Sequence, residues 1–294
     1  MAATIPINDK VVFEAVQSAE EAIERILECD LVNFYGELRS AVVPHFRDVL
    51  EALAARPGKR NALGICLTTP GGQAEVVEKC VEIARHHYEF LYFLVPRMAM
   101  SAGTIFCMAG DKIYMDYSSS LGPIDPQVPE KDEKYLVPAL GYLDKVGELI
   151  EKSRDGTITP AEFMLLEKQD LAMLRFYEQA RDLSITLLKD WLTNYKFKDW
   201  IEHRTTSKGS PVTEDDKRRR AEEIATLLSN NKHWHSHGRF ISMKTLKEVV
   251  RLEIEDFGAD KELQEAVRRY CDVLSSFLNR NGIPYYVYNR HTCT

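Results

Sequence analysis

Phe90-Leu91-Tyr92-Phe93-Leu94-Val95-Pro96-Arg97-Met98-Ala99-Met100-Ser101-Ala102-Gly103-Thr104 is the stretch on which the fold turns. Its first six residues are apolar β-formers, few enough for a fully buried strand, and Pro96 stops them. Small residues then flank a single hydroxyl, and the apolar run that follows, closed by Gly110, reads as a helix. A serine between a buried strand and a helix start either caps the helix or presents its Oγ at the open end of a sheet. In the second case the next backbone N–H, that of Ala102, lies at the positive end of the helix dipole. A nucleophile beside one oxyanion donor is half of an acyl-transfer site.

Gly64-Ile65-Cys66-Leu67-Thr68 reads as another buried strand and ends in Thr69-Pro70-Gly71-Gly72. A Gly-Gly turn lets the backbone approach a ligand and aim bare N–H groups at it. No Lys-Ser or Lys-Thr follows, so this is not a phosphate-binding loop. Residues 74–87 have helical periodicity, which makes the strands at 63–68 and 90–95 a β-α-β unit. A helix over 11–29, a strand over 30–36, a helix over 40–55 and a strand over 112–117 extend the alternation, which implies a parallel sheet with right-handed crossovers. Ligands of such sheets bind beyond the carboxyl ends of the strands, where both Gly71-Gly72 and Ser101 fall.

Thr-Pro-Gly-Gly, followed about thirty residues later by Met-Ser-Ala-Gly-Thr and then by Ala109-Gly110-Asp111-Lys112-Ile113-Tyr114-Met115, resembles the ClpP/crotonase superfamily. Within it the sequence is most similar to SppA-like signal peptide peptidases and to the serine dehydrogenase proteinases of the ClpP class. The resemblance covers about Val32 to about Leu183. It implies an α/β fold with a ClpP/crotonase-like parallel β-α-β spiral core, here with a helical C-terminal extension. It also implies a serine peptidase that needs no cofactor, with Ser101 as nucleophile and Gly71, Gly72 and Ala102 lining the oxyanion hole. SppA-like enzymes place a general-base lysine just before a Thr-x-x-Glu helix, and Lys152, 51 residues after Ser101, matches that position. Lys145, 44 residues after Ser101, is the other candidate base. ClpP carries its histidine near Asp125, but no histidine occurs between His87 and His203, so Asp125 is either a site residue or a turn residue between two prolines. A bulky residue at Gly72 is expected to abolish turnover and leave the fold intact.

The 294 residues suffice for a large core, and 45% apolar with 28% charged residues is ordinary for a globular chain. A net charge of −7 argues against general nucleic-acid binding. The six cysteines form no CxxC pair and suit buried reduced thiols. No apolar run is long enough to cross a membrane, and the polar N-terminal residues, expected to be loose up to Lys10, do not resemble a signal peptide; a cytoplasmic protein is expected.

The expected organisation is an N-terminal helical segment (1–29), the α/β core (30–200) and a mainly helical C-terminal region (201–294). Later helices are expected over 137–150, 160–195, 214–229, 245–252 and 260–278, with Thr159-Pro160-Ala161-Glu162 as a helix start. His233, His235 and His237 would share one face of an extended strand, the arrangement of a three-His zinc site, but no second ligand cluster accompanies them and no metal is expected. The partners expected are a peptide or protein substrate and, from the resemblance, further copies of the chain. Two other functions share the fold and stay open: a crotonase-type acyl-CoA enzyme and a non-catalytic peptide-binding scaffold.

Overall fold

Strands that are apolar on both faces need cover on both, and the amphipathic helices between them supply it. The computed structural model describes residues 7–129, 136–204 and 208–291. Residues 1–6 of the expected loose N-terminus lie outside them. The chain runs α1 (Ile7–Leu27), β1 (Asp30–Tyr35), α2 (Val42–Ala54), β2 (Ala62–Thr68), α3 (Ala74–His87), β3 (Phe90–Leu94), β4 (Met98–Ala99), α4 (Ala102–Met108), β5 (Lys112–Met115) and β6 (Ser120–Leu121). Then follow β7 (Gln127–Pro129), β8 (Leu136–Pro138), α5 (Ala139–Arg154), α6 (Pro160–Glu167), α7 (Leu171–Trp191) and a π-helical turn at Leu192–Lys196. The rest comprises α8 (Glu214–Ser229), α9 (Asn231–Trp234), β9 (Ile241–Ser242), α10 (Met243–Thr245), β10 (Glu255–Asp256), α11 (Lys261–Arg280) and β11 (Tyr286–Tyr288).

The main sheet has six strands in the order β10-β5-β3-β2-β1-β11, parallel except at the antiparallel edge strand β11. Strand alternation divides the core. Leu63, Ile65 and Leu67 face the larger cluster, where Phe34, Phe46, Phe93 and Phe106 meet edge to face beneath α2, α3 and α4. Leu31, Cys66 and Leu94 face the other way, onto α1 and α11. This is the α/β fold expected, with a parallel core.

Three features add to or depart from the expected elements. The mainly helical segment after residue 201 also contributes strands that were not expected: β9, β10 and β11 leave it to join sheets built from the first half of the chain. Strands of two or three residues carry no readable period, so neighbours rather than sequence create them. The helix expected over 160–195 breaks at Lys168–Asp170, where the Asp170 side chain accepts the N–H groups of Ala172 and Met173 and starts α7. Finally α5 runs on to Arg154, so Lys145 and Lys152 lie on one helix.

Glu20, in α1, is fully buried. Its carboxyl receives the Asn289 amide and the Arg290 backbone N–H, both at 3.0 Å, and the Tyr270 hydroxyl at 3.4 Å. Burial outweighs these donors and pushes its pKa up to about 8 from 4.5. A raised carboxyl pKa stabilises the folded state fully below about 4.5, and that contribution is lost as pH rises through about 8. The thermal midpoint should therefore fall over that interval, and Glu20→Gln, which stays neutral, should flatten the decline when melting is followed by circular dichroism. A decline of the same steepness in the variant would remove Glu20 as its cause.

Candidate active site

A pair of two-residue strands sets the position of Ser101. β4 pairs in parallel with β6, and Ala99 bridges Thr69 on its other side through Met100 N–H to Thr69 O and Thr69 N–H to Met98 O, each 3.0 Å. The chain must then turn from β4 into α4 within one residue. Ser101 makes that turn at φ 52° and ψ −116°, a left-handed conformation that costs a non-glycine residue about 1–3 kcal/mol. It sits at the N-cap, yet its hydroxyl makes no capping bond, so the capping alternative does not describe it. The strain is held from below. Buried Thr104 accepts the Gly122 N–H at 2.9 Å through its Oγ1, which also lies 2.9 Å from the carbonyls of Ala99 and Gly122.

The Gly-Gly turn passes directly over this elbow. A Cβ on Gly71 would lie 2.9 Å from Met100 O, 3.0 Å from Ser101 Cβ and 3.6 Å from Ala102 N. Gly71 has φ +113° and Gly72 φ +148°, a backbone that glycine alone adopts readily. Hydrogen bonds separate the three donors expected from sequence. The Gly71 N–H is spent on Thr69 Oγ1 at 3.0 Å. The Gly72 N–H lies between Leu38 N–H to Gly71 O and Gln73 N–H to Leu38 O, both 2.9 Å, and among the described residues it has no acceptor. The Ala102 N–H opens α4 and has none within the helix. Among the described residues these two N–H groups and the Ser101 hydroxyl thus have no hydrogen-bond partner.

The family model for ClpP-like SDH-type serine proteinases matches residues 38–226, which include the Gly-Gly turn, Ser101 and Asp125. The chain belongs to this family. SDH-type proteinases are serine-type hydrolases by that description. Two curated relatives from Methanocaldococcus jannaschii are similar over part of their length. Uncharacterized protein MJ0137 is 33% identical over 93 residues, 32% of either chain, and uncharacterized protein MJ1495 is 28% identical over 160 residues, 54% of this chain and 49% of its own. The match therefore spans a third to a half of each relative. Among solved structures, two mutant forms of the 1510-N membrane-bound stomatin-specific protease align with 77% of this chain and 78% and 74% of theirs, at 14% and 15% identity and TM-scores of 0.45 and 0.44. The second is in complex with a substrate peptide.

In this chain both candidate lysines are solvent-exposed and paired with acids. Lys152 is 45% exposed in the last turn of α5 and pairs with Glu162. Glu162 also completes the capping box with Thr159, and its carboxyl is held down to about 2, first by the Lys152 hydrogen bond. Lys145 pairs with Glu148, whose hydrogen bond holds the Lys145 amine above the ordinary lysine range. A Ser–Lys dyad needs a desolvated lysine, and both of these are solvated and paired with acids.

The histidines also depart from the expected strand. His233 belongs to the single turn α9, with its N–H capped by Asn230, and His235 follows in the left-handed region at φ 64°. The described residues hold no group of three metal-ligand side chains. His237 instead places Nδ1 2.9 Å from Asp125 Oδ1. Sequence reasoning had both residues in view but could not pair them, because nothing in the spacing links positions so far apart.

Gly72 corrects a further expectation. A Cβ there would fall 2.2 Å from Leu38 O, a backbone atom, so a bulky residue strains the fold as well as the site. Gly72→Val should lower the thermal midpoint measurably, whereas Gly71→Ala should chiefly disturb Ser101 and slow its labelling by a fluorophosphonate about 100-fold. An unshifted midpoint in the first, or full labelling in the second, would show that the turn does not pack as described.

Proposed function

We propose that the chain is a serine peptidase in which Ser101 Oγ attacks a peptide carbonyl. The Ala102 and Gly72 N–H groups receive the oxyanion, since among the described residues neither has an acceptor, and Gly71, the neighbour of Gly72, packs against Ser101 and Ala102. The observation that carries this reading is the strained Ser101 backbone beneath the Gly-Gly turn, with a hydroxyl that caps nothing. Strain of that kind costs stability and is retained where a reacting atom must be presented. The chemistry needs no metal or organic cofactor. The Ser–Lys version of the site, with Lys152 as base, would first have to break the Lys152–Glu162 pair and bury the amine. The reading therefore rests on the nucleophile and its oxyanion donors.

A homo-oligomer is part of the same proposal. α6 has no buried residue, and Phe163, Met164 and Leu165 together with Leu171 and Phe176 of α7 leave an apolar surface exposed on the single chain. A second copy covering it would shield the helices that follow the site. Buried free thiols at Cys29, Cys66, Cys80, Cys107 and Cys271 suit a reducing compartment and support the cytoplasmic reading.

Ser101→Ala should abolish both fluorophosphonate labelling and hydrolysis of an unstructured protein substrate, with a loss of about 10⁴-fold or more. Hydrolysis of thioesters that survives in this variant would favour the acyl-CoA alternative instead. For assembly, Phe163→Glu combined with Leu165→Glu should shift the mass measured by light scattering toward that of one chain. A mass already equal to one chain in the unaltered protein would end that part of the proposal.

A further inference from the structure

Asp125 is a buried carboxylate, 1% exposed, between Pro123 and Pro126. Its Oδ1 meets His237 Nδ1 at 2.9 Å, and its Oδ2 is buried with no partner among the described residues. Taking a carboxylate out of water for one histidine is costly, and an ordinary surface turn would not require it. The place of the pair in the sheet gives it a use. The small sheet has the order β4-β6-β9, with Ala99 beside Leu121 in parallel and Leu121 opposite Ile241 in antiparallel. Ser101 lies two residues beyond Ala99, Asp125 four beyond Leu121, and His237 four before Ile241. Given those strand directions, all three leave the same end of three adjacent strands.

The segment carrying His237 is fixed at both ends. Before it, Trp234 is buried and donates its indole N–H to Leu227 O at 2.7 Å; after it, Ile241 is buried in β9. Asp125 is fixed as well, since the Ile124 N–H reaches Leu228 O at 3.1 Å and the Ala139 N–H reaches Pro126 O at 2.9 Å. An Nδ1–H donated to Asp125 would leave Nε2 of the neutral ring as the lone-pair atom. The His237 side chain is 21% exposed, whereas the Asp125 side chain it meets is buried.

We propose that His237 is the general base for Ser101 and that Asp125 is its positioning residue, an inference that rests on the serine-peptidase reading above. As Ser101 Oγ bonds to the carbonyl carbon, its proton passes to His237 Nε2, and the Asp125 carboxylate stabilises the imidazolium. The imidazolium returns that proton to the amide nitrogen as the C–N bond breaks and the amine leaves. Water then attacks the acyl-serine, giving its proton to Nε2, and the proton passes to Ser101 Oγ as the acid is released. The same base serves both halves, and no external oxidant or reductant enters.

The test uses the full chain. His237→Ala should lower fluorophosphonate labelling and peptide turnover by about 1000-fold or more, and added imidazole should restore part of the loss, which a purely structural histidine would not allow. Asp125→Asn should lower kcat by about 10⁴-fold while leaving KM little changed. Should the alanine variant fail to fold, His237→Gln, whose amide can still bond Asp125, takes its place and should fold but not turn over. Wild-type turnover in a folded His237 variant overturns the proposal, and a concurrent loss in Lys152→Ala returns the base to the lysine. Full turnover in Ser101→Ala is a different result: it removes the peptidase reading itself, whatever the histidine variants do.

Discussion

A single residue must turn the chain from a strand into a helix at the open end of the sheet, and the rest of the site exists to make that tolerable. Ser101 adopts φ 52° because Thr104 ties Ala99 and Gly122 together beneath it, while Thr69 pins Met98 and Met100 beside it. Strain of about 1–3 kcal/mol is small against the burial that surrounds it, with α4 wholly enclosed between the sheet and its covering helices. The strained turn lifts the hydroxyl away from its own helix, so its hydrogen bond is not spent locally. Gly71 and Gly72 complete the arrangement from above, where any side chain would strike Met100 or Leu38 backbone atoms.

The two halves of the chain share this work unequally. The first half builds the parallel sheet, the elbow and the turn. The second half closes the edges: β10 extends the sheet beyond β5, β11 covers β1, and β9 pairs with β6. Through β9 it also carries His237 to Asp125. The helices α5 and α6 stand apart, with Ala139 and Tyr177 forming a small cluster of their own and most of α6 open to solvent. Such a unit has little buried area to fix it, which agrees with surface ion pairs rather than a core holding Lys145 and Lys152.

Sequence alone determined the alternation of buried strands and amphipathic helices, down to the limits of α3 at residues 74–87 and α8 at residues 214–229. It also determined the elbow and the Gly-Gly turn, because these are local: a positive φ, a bare N–H or a capping box is written in a few neighbouring residues. The family followed from the order of those two motifs. Short strands β9, β10 and β11 were not legible, since two or three residues carry no period and form only where a partner strand presents its edge. The division of the candidate N–H donors was not legible either, because only the Thr69 side chain shows that the Gly71 N–H is already used. Lys152 looked like a base from its place before a helix cap, and only packing revealed Glu162 as the partner that holds it in solvent. The tertiary structure alone decided that Asp125 meets His237, because a hydrogen bond between residues 112 positions apart depends on sheet order and not on spacing along the chain.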